Sequence, residues 1–245
     1  MKRGGVDIGS RFIKYAVIDK DGAVSFYKKE TGHNPMSVCE ELFDSDRADR
    51  LTATGYGRHL MEISGNANTI TEIKAVARGA RKVFPRCRTV IDIGGQDTKV
   101  ISLKQDGGVQ SFEMNDRCAA GTGRFLEIMA KALGYDIREF GRDIYPSDNS
   151  NISINSMCTV FAESEVIGLI NKGIKREAIS YALHSSVTQK VTALAKRIDV
   201  KDDIVFAGGC ALNGTLVDMF KNTLQKNIHV HQTPDMLAAL GAALY

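Results

Sequence analysis

The sequence has no apolar run that approaches the roughly 20 residues needed to span a bilayer. Met1-Lys2-Arg3 leads into a short strand-like segment, without the apolar core of a secretory signal. The formal net charge is only +3, from 32 basic and 29 acidic residues, which is too small to indicate nucleic acid or a membrane surface as a partner. These absences predict a globular cytoplasmic protein that binds neither.

Cysteine is scarce and scattered. An odd number at wide spacing makes a poor disulfide framework, and the absence of any CxxC pair argues against a compact zinc site. If cysteines bind metal here, they must come from distant points of one chain or from two chains. The five are Cys39, Cys87, Cys118, Cys158 and Cys210.

Two common nucleotide-binding motifs are missing as well. The sequence contains neither a GxxxxGK[ST] phosphate loop nor a Rossmann GxGxxG, and the Gly-Thr-Gly at 121–123 is too short to count as either. The chain contains an internal repeat instead. Residues 6–19 (VDIGSRFIKYAVID) align with residues 91–104 (IDIGGQDTKVISLK) at a constant offset of 85.

This repeat predicts the architecture. Each copy is typical of a strand, a tight glycine turn, a second strand and an Asp-Gly hairpin turn, at Asp21-Gly22 and Asp106-Gly107. We therefore expect an α/β protein of two similar units that face each other, residues 1–86 and 87–245. Helical patterns follow each repeat, at about 36–45, 72–84, 122–134, 159–171 and 175–197.

The repeated Asp-x-Gly turns suit a phosphate chain. Glycine lets successive backbone N–H groups point outward as an anion-binding concavity. Asp7 and Asp92 would stand beside the turns, where a carboxylate can hold Mg²⁺ through water or orient an attacking water. The alternative is a pair of ordinary hairpins. Gln96 is also a candidate catalytic residue. The residues expected to contact phosphates are Gly9, Ser10, Gly94, Gly95 and Gln96.

A third segment suits a nucleoside. Residues 204–209 (IVFAGG) predict a buried strand that ends in Gly208-Gly209, where a backbone can approach a flat ring or a ribose closely. Asn213 follows, before a helix that begins at about residue 214. We expect these two glycines and Asn213 to border the nucleoside, whereas the alternative is a plain strand-to-helix turn.

Two lysines allow more than one interpretation, whereas Glu72 has a single one. Lys14 and Lys99 fall on the second strand of their repeats, either as nucleotide ligands or as solvated charges; Lys14 is kept as a candidate ligand. Glu72 is interpreted as an acid that the helix dipole favours in a first turn.

Cys118 and Cys158 each lie near a predicted helix N-terminus. The partial positive charge and free N–H groups there stabilise a thiolate or a negatively charged thiolate-ligated cluster. An iron–sulfur cluster of the [4Fe–4S] type usually takes four cysteines, and a two-fold dimer would supply two from each chain. The alternatives are small buried hydrophobic residues or a redox-active thiol pair.

Taken together, the repeated loops and the Gly-Gly segment resemble the actin, sugar-kinase and heat-shock-chaperone ATPase superfamily. That resemblance implies ribonuclease-H-like halves with an ATP site in the cleft between them. The segments NDRCAAGTGRFLE (115–127) and CTVFAESEVI (158–167) further resemble the 2-hydroxyacyl-CoA dehydratase activators of the BadF/BadG/BcrA/BcrD ATPase family. One departure is that the family often has threonine where Arg11 or Phe12 stands.

The family resemblance implies a specific activity. It implies a homodimer with one [4Fe–4S] cluster bridged by Cys118 and Cys158 of both subunits, and ATP or ADP with Mg²⁺ in each subunit. The ATPase would take an electron from ferredoxin or flavodoxin and donate it, at low potential and under anaerobic conditions, to a 2-hydroxyacyl-CoA dehydratase-type iron–sulfur enzyme.

Other activities stay open on the sequence. The partner could be a double-cubane-cluster protein or a benzoyl-CoA reductase-type enzyme. A sugar or acetate kinase of the same superfamily would need a substrate pocket with a catalytic base in the first unit. A metal-free actin-like nucleotide switch would use its cysteines as ordinary core residues.

Overall fold

A computed structural model describes residues 1–63, 67–142 and 158–245, together with Ile144, Ile152 and Ile154. The first half of the chain forms β1 (Arg3–Ile8), β2 (Phe12–Ile18), β3 (Val24–Glu30), α1 (Pro35–Ser45), β4 (Arg50–Thr54), α2 (Arg58–Ile63), β5 (Asn68–Thr69) and α3 (Glu72–Val83). The second half forms β6 (Thr89–Ile93), β7 (Thr98–Leu103), β8 (Val109–Asn115), α4 (Gly123–Ala132), α5 (Thr159–Asn171), α6 (Arg176–Ala195), β9 (Ile204–Ala207), α7 (Gly214–Leu224), β10 (Ile228–Val230) and α8 (Leu237–Ala243). Two short 3₁₀ helices, Gly209–Leu212 and Pro234–Met236, precede α7 and α8.

The two halves build sheets of the same design. The first sheet has the strand order β3-β2-β1-β4-β5, and the second, taken in the same sense, β8-β7-β6-β9-β10. In each, the first three strands are antiparallel and the last two run parallel to the first. The predicted α/β fold of two similar halves is confirmed.

The repeat also holds at the level of single residues. Asp7 of β1 is paired with Lys14 of β2, and Asp92 of β6 is paired with Lys99 of β7. The glycines of the two Asp-Gly turns have φ values of +87° and +89°, a conformation that glycine adopts without the strain of a side chain. The offset of 85 residues therefore reflects two hairpins with the same strand pairing and the same turn conformation.

Most helices lie where the apolar periodicity predicts them. The patterns at about 36–45, 72–84, 122–134, 159–171 and 175–197 correspond to α1, α3, α4, α5 and α6. The predictions did not include α2 and α8, which are only 6 and 7 residues long. None of the helices in the described ranges combines the length and the apolar character that a membrane span requires.

The halves exchange a helix. The last helix, α8, packs on β1, β2 and β4 of the first sheet, whereas α3 packs on β6 to β9 of the second. The two helices also pack against each other through glycines, because a Cβ on Gly79 would lie 2.0 Å from the carbonyl oxygen of Leu237. A Cβ on Gly241 would lie 1.7 Å from that of Ala75. The division of the chain at residue 86 into two units stays a prediction.

Candidate nucleotide cleft and cysteine segments

A cleft of about 670 Å³ lies between the two halves. It is lined by the ends of β1, β6 and β9 and by the starts of β2, α3, α4 and α8. Every residue that the sequence suggested for a nucleotide lines this one cleft: Asp7, Gly9, Ser10, Lys14, Asp92, Gly94, Gly95, Gln96, Gly208, Gly209 and Asn213. Their individual roles stay predictions. Cys118 and Cys158 are not among the lining residues.

Two tight turns face the cleft, one from each half. The Gly9 N–H donates to the carbonyl of Phe12 at 3.2 Å, and the Gly94 N–H donates to the carbonyl of Asp97 at 2.9 Å. Both turns close the same loop in the repeat. We call them phosphate loop 1 (Gly9–Phe12) and phosphate loop 2 (Gly94–Asp97).

The first half contributes the buried carboxylate of Asp7, whose two oxygens differ in their hydrogen bonding. Asp7 Oδ2 accepts a hydrogen bond from Lys14 Nζ at 2.9 Å. Asp7 Oδ1 is buried, yet no partner for it lies within the described part of the chain. A buried oxygen without a partner is costly, so this atom is suited to a ligand in the cleft, such as a water or a hydrated cation.

The second half contributes a lysine surrounded by acids. Lys99 is only 2% exposed. Its Nζ lies 2.7 Å from Asp97 Oδ2, 2.9 Å from Glu72 Oε1 and 3.8 Å from Asp92 Oδ2. The interpretation of Lys99 as a solvated charge is therefore wrong. Glu72 is more than a first-turn acid, because it reaches from α3 to the lysine of β7.

Burial shifts the acids of this cluster. Burial raises the pKa of Glu72 to about 7, although Lys99 opposes the shift. Burial also raises the pKa of Asp92, and Lys99 again opposes it. Burial disfavours the Lys99 ammonium, but the three carboxylates outweigh it and raise the lysine's pKa above its usual value. The lysine thus stays charged, and its charge limits how far burial raises the pKa values of Glu72 and Asp92.

Asp97 was not singled out from the sequence. The repeat aligns Asp97 with Phe12, so the first half has no acid at the matching position that would mark Asp97 as a candidate. Only the fold of phosphate loop 2 turns its carboxylate toward Lys99.

The nucleoside end of the cleft is shaped by glycine and by an asparagine. Gly208 has a φ of +82°, and a Cβ there would lie 2.3 Å from the carbonyl oxygen of Ile93. Asn213 caps α7 by accepting from the Leu216 N–H at 3.1 Å, and its Nδ2 donates to the carbonyl of Phe140 at 2.8 Å. Asn213 is therefore a residue that positions this wall of the cleft, and its contact with a nucleoside stays a prediction.

The segment that carries Cys118 is bonded to phosphate loop 2. The N–H groups of Gly123 and Arg124, which begin α4, donate to the carbonyls of Gly94 and Gly95, each at 2.9 Å. Asn115 Nδ2 donates to the carbonyl of Cys118 itself at 2.9 Å. The start of α4, five residues after Cys118, is therefore hydrogen-bonded directly to phosphate loop 2.

Cys158 is the N-cap of α5, which confirms the prediction that it lies near a helix N-terminus. The side chains of Cys118 and Cys158 are both partly exposed. Residues 155–157, which directly precede Cys158 in the sequence, lie outside the described residues. Along α5 large apolar side chains face outward: Val160, Phe161, Ile167 and Ile170.

The other three cysteines are buried. Burial raises the pKa of each of their thiols to about 12, and they are Cys39, Cys87 and Cys210. None of the five cysteines is in a disulfide. Within the described ranges, no group of three or more His, Cys, Asp or Glu side chains of one chain could hold a metal ion.

This contrast predicts two classes of thiol. In reduced, chelator-treated protein, iodoacetamide should modify Cys118 and Cys158 at least about tenfold faster than the other three, because reaction needs an accessible thiolate. Peptide mass spectrometry over a time course measures the five rates. Cys87 serves as the internal buried reference, and modification of Cys87 as fast as of Cys158 would contradict the packing described above.

Comparisons with known proteins agree with this geometry. The family model described as BadF/BadG/BcrA/BcrD ATPase family matches residues 5–245. The 2-hydroxyisocaproyl-CoA dehydratase activator of Clostridioides difficile is 42% identical over 98% of this chain and 93% of its own.

Solved structures agree as well. Component A of the (R)-2-hydroxyglutaryl-CoA dehydratase of Acidaminococcus fermentans superimposes with a TM-score of 0.90 at 34% identity, covering 100% of this chain and 97% of that one. The Clostridium difficile 2-hydroxyisocaproyl-CoA dehydratase activator with bound ADPNP gives 0.88 at 40% identity, covering 100% and 94%. A glucokinase of 13% identity and TM-score 0.60 shares the fold alone, which is that of actin-like ATPases and sugar kinases.

Proposed function

Because this chain belongs to the BadF/BadG/BcrA/BcrD ATPase family, we propose that it is an ATP-dependent one-electron donor to a 2-hydroxyacyl-CoA dehydratase-type iron–sulfur enzyme. It works as a homodimer that holds one [4Fe–4S] cluster between its subunits. The observation that carries this proposal is the bonding of the Cys118 segment to phosphate loop 2, through the N–H groups of Gly123 and Arg124.

ATP or ADP occupies the cleft between the halves. The related activator with bound ADPNP supports this, as do the two phosphate loops that face one another here. Gly9, Ser10, Gly94, Gly95 and Gln96 contact the phosphates through backbone N–H and side-chain groups. Gly208 and Gly209 leave room for the nucleoside beside Asn213.

Mg²⁺ fits the buried carboxylates at the ends of β1 and β6. Asp7 Oδ1 is a buried oxygen without a partner in the described part of the chain, and Mg²⁺ takes oxygen ligands while keeping several waters. Asp7 and Asp92 would hold the ion through water, and either can orient the attacking water. Gln96, exposed at the tip of phosphate loop 2, is a further candidate for that water.

The thiols of Cys118 and Cys158 fit a shared cluster. Both are partly exposed, whereas the other cysteines are buried, and Cys158 stands at the positive end of α5. One chain supplies two thiolates and a two-fold dimer supplies the four that a [4Fe–4S] cluster usually takes. The outward apolar residues of α5, such as Phe161 at 68% exposed, support a subunit contact beside Cys158. When bound, the cluster accepts and passes one electron.

Backbone hydrogen bonds connect the nucleotide cleft to the segment that carries Cys118. A change in phosphate loop 2 moves the carbonyls of Gly94 and Gly95, which accept hydrogen bonds from the first turn of α4. Because Cys118 lies five residues before α4, that movement is passed along the backbone to the thiol. ATP hydrolysis can thus bias the surroundings of the thiolates between two arrangements.

The partners follow from the family. Ferredoxin or flavodoxin supplies the electron, and the acceptor is a 2-hydroxyacyl-CoA dehydratase or a related reductase, since the relatives include activators of such dehydratases and a benzoyl-CoA reductase subunit. The thiolate ligands need a reducing compartment, which is consistent with the cytoplasm.

Anaerobic purification followed by iron, sulfide and mass analysis tests the proposal. We expect about four irons and four sulfides per dimer in the wild type. Cys118→Ser and Cys158→Ser should each lose nearly all the iron, because each removes two of the four ligands. The matched control is Cys87→Ser, a buried cysteine away from the cleft, which should retain the full iron content.

The contrary result is equally distinct. A wild-type protein that is monomeric and free of iron after anaerobic reconstitution, yet binds ATP, would show a metal-free nucleotide switch and overturn the proposal. Equal iron content in wild type and both ligand variants would overturn the assignment of the ligands.

A further inference from the structure

Arg11 stands where the two phosphate loops meet. It follows Ser10 in phosphate loop 1 and lines the cleft. A Cβ placed on Gly95 of phosphate loop 2 would lie 3.6 Å from Arg11 Cβ and 3.7 Å from Ser10 Oγ. The side chains of Arg11 and Ser10 therefore lie close to Gly95 of the opposite loop, and Arg11 brings a guanidinium to that junction.

Across the cleft, Arg11 is near an acid on α4. Arg11 Nε lies 3.4 Å from Glu127 Oε1, and the two side chains are 51% and 27% exposed. Glu127 also accepts a hydrogen bond from Arg124 at 3.2 Å. An ion pair of this length and exposure contributes little to stability, because water screens it. Glu127 is thus a weak and shared partner for Arg11.

A phosphate is a stronger partner for the same group. Guanidinium binds phosphate with two parallel hydrogen bonds, and such charge-assisted pairs are the stronger class of hydrogen bond. The phosphate carries more charge than a single carboxylate. A phosphate within reach would therefore draw Arg11 from Glu127.

The position of Arg11 indicates which phosphate. The glycines and the asparagine that suit the nucleoside, Gly208, Gly209 and Asn213, all belong to the second half. A nucleotide anchored there extends its phosphates toward the first half, so phosphate loop 1 receives those farthest from the nucleoside.

We propose that Arg11 is a ligand of the terminal phosphate of a bound nucleoside triphosphate and that Glu127 of α4 competes for it. This rests on the proposed function, since it assumes ATP in the cleft. Arg11 would then distinguish ATP from ADP. Because α4 begins at the hydrogen bonds to phosphate loop 2, the exchange of partners also changes the charge balance on the helix that follows the Cys118 segment.

Calorimetric titration with ADP and with a non-hydrolysable ATP analogue tests the ligand. Arg11→Ala should weaken binding of the analogue about tenfold and of ADP less than twofold. Arg11→Lys should recover only part of the difference, because an ammonium lacks the fork of donors. The matched control is Arg138→Ala, an arginine that lines the same cleft near Phe140, which should leave the ratio of the two affinities unchanged. Thermal unfolding midpoints confirm that each variant folds.

A double-variant cycle tests the competition. Glu127→Gln should tighten binding of the analogue about threefold when Arg11 is present and leave it unchanged in Arg11→Ala. An equal loss of ADP and analogue affinity in Arg11→Ala, or none, would overturn the ligand assignment. The same effect of Glu127→Gln in both backgrounds would overturn the competition. Wild-type protein that binds neither nucleotide would overturn the proposed function with it, whereas normal binding with an unchanged ratio sinks only the role of Arg11.

Discussion

Replacing Gly241 with alanine is expected to destabilise the protein by about 3 kcal/mol and to lower its thermal unfolding midpoint by roughly 10 °C. The new Cβ would lie 1.7 Å from the carbonyl oxygen of Ala75 and 2.8 Å from the backbone nitrogen of Gly79. Both obstacles are helix backbone, so no side chain can rotate away and α3 and α8 must separate. Differential scanning calorimetry of the purified variant measures the shift.

A second glycine in a helix provides the control. Gly214 begins α7, and no atom lies within 4 Å of a Cβ built on it. Gly214→Ala should leave the midpoint within about 2 °C of the wild type, since an unobstructed surface change costs little. If Gly241→Ala were as mild as Gly214→Ala, the close contact of α3 and α8 described here would be wrong.

Replacing Lys99 with methionine is expected to destabilise the protein by about 3–5 kcal/mol at pH 8. Methionine fills much of the same volume, but it leaves the carboxylates of Glu72, Asp92 and Asp97 without the cation that balances them. Urea unfolding followed by circular dichroism gives the free energy of unfolding of each variant.

The loss should depend on pH with a definite sign. Burial already raises the pKa of Glu72 to about 7 with Lys99 in place, and removing the lysine raises it further. The folded state then holds protons that the unfolded chain releases at lower pH, so stability falls as pH rises through the raised pKa. The deficit should therefore be larger at pH 8 than at pH 6.

Lys14 is the matched position in the repeat. It pairs with a single acid, Asp7, and its side chain is 19% exposed. Lys14→Met should cost less, about 1–2 kcal/mol, because only one charge loses its partner and water can approach it. Equal losses in both variants, or a Lys99→Met deficit that does not change with pH, would contradict the acid cluster.

The repeated strands could be predicted because they depend on local pattern. Asp-Gly turns and alternating apolar residues encode the hairpins wherever they occur, so β1–β3 and β6–β8 follow from the sequence. The short elements α2, β5 and β10 carry too few residues for a period to emerge. The placement of α8 on the first sheet depends on contacts between residues more than 180 positions apart, which no local sequence pattern indicates.

The site divides in the same way. Its glycines and Asp7 and Asp92 stand in motifs, and the fold brings them into one cleft. Lys99 is open to a solvated interpretation on the sequence, because only the fold brings Glu72 of α3 to it beside Asp92 and Asp97 of its own hairpin. The Arg11–Glu127 pair joins residues from opposite halves, and nothing in either segment alone indicates the other.

The exchanged helix has a consequence for how the protein is made. The buried face of β1, β2 and β4 is covered by residues 237–243, which leave the ribosome long after those strands. The first half therefore cannot complete its core during early synthesis. Its apolar face stays exposed until α8 is made, unless a chaperone covers it. For the same reason residues 1–86 expressed alone should be insoluble, and the intact chain should unfold in one cooperative transition despite its two sheets.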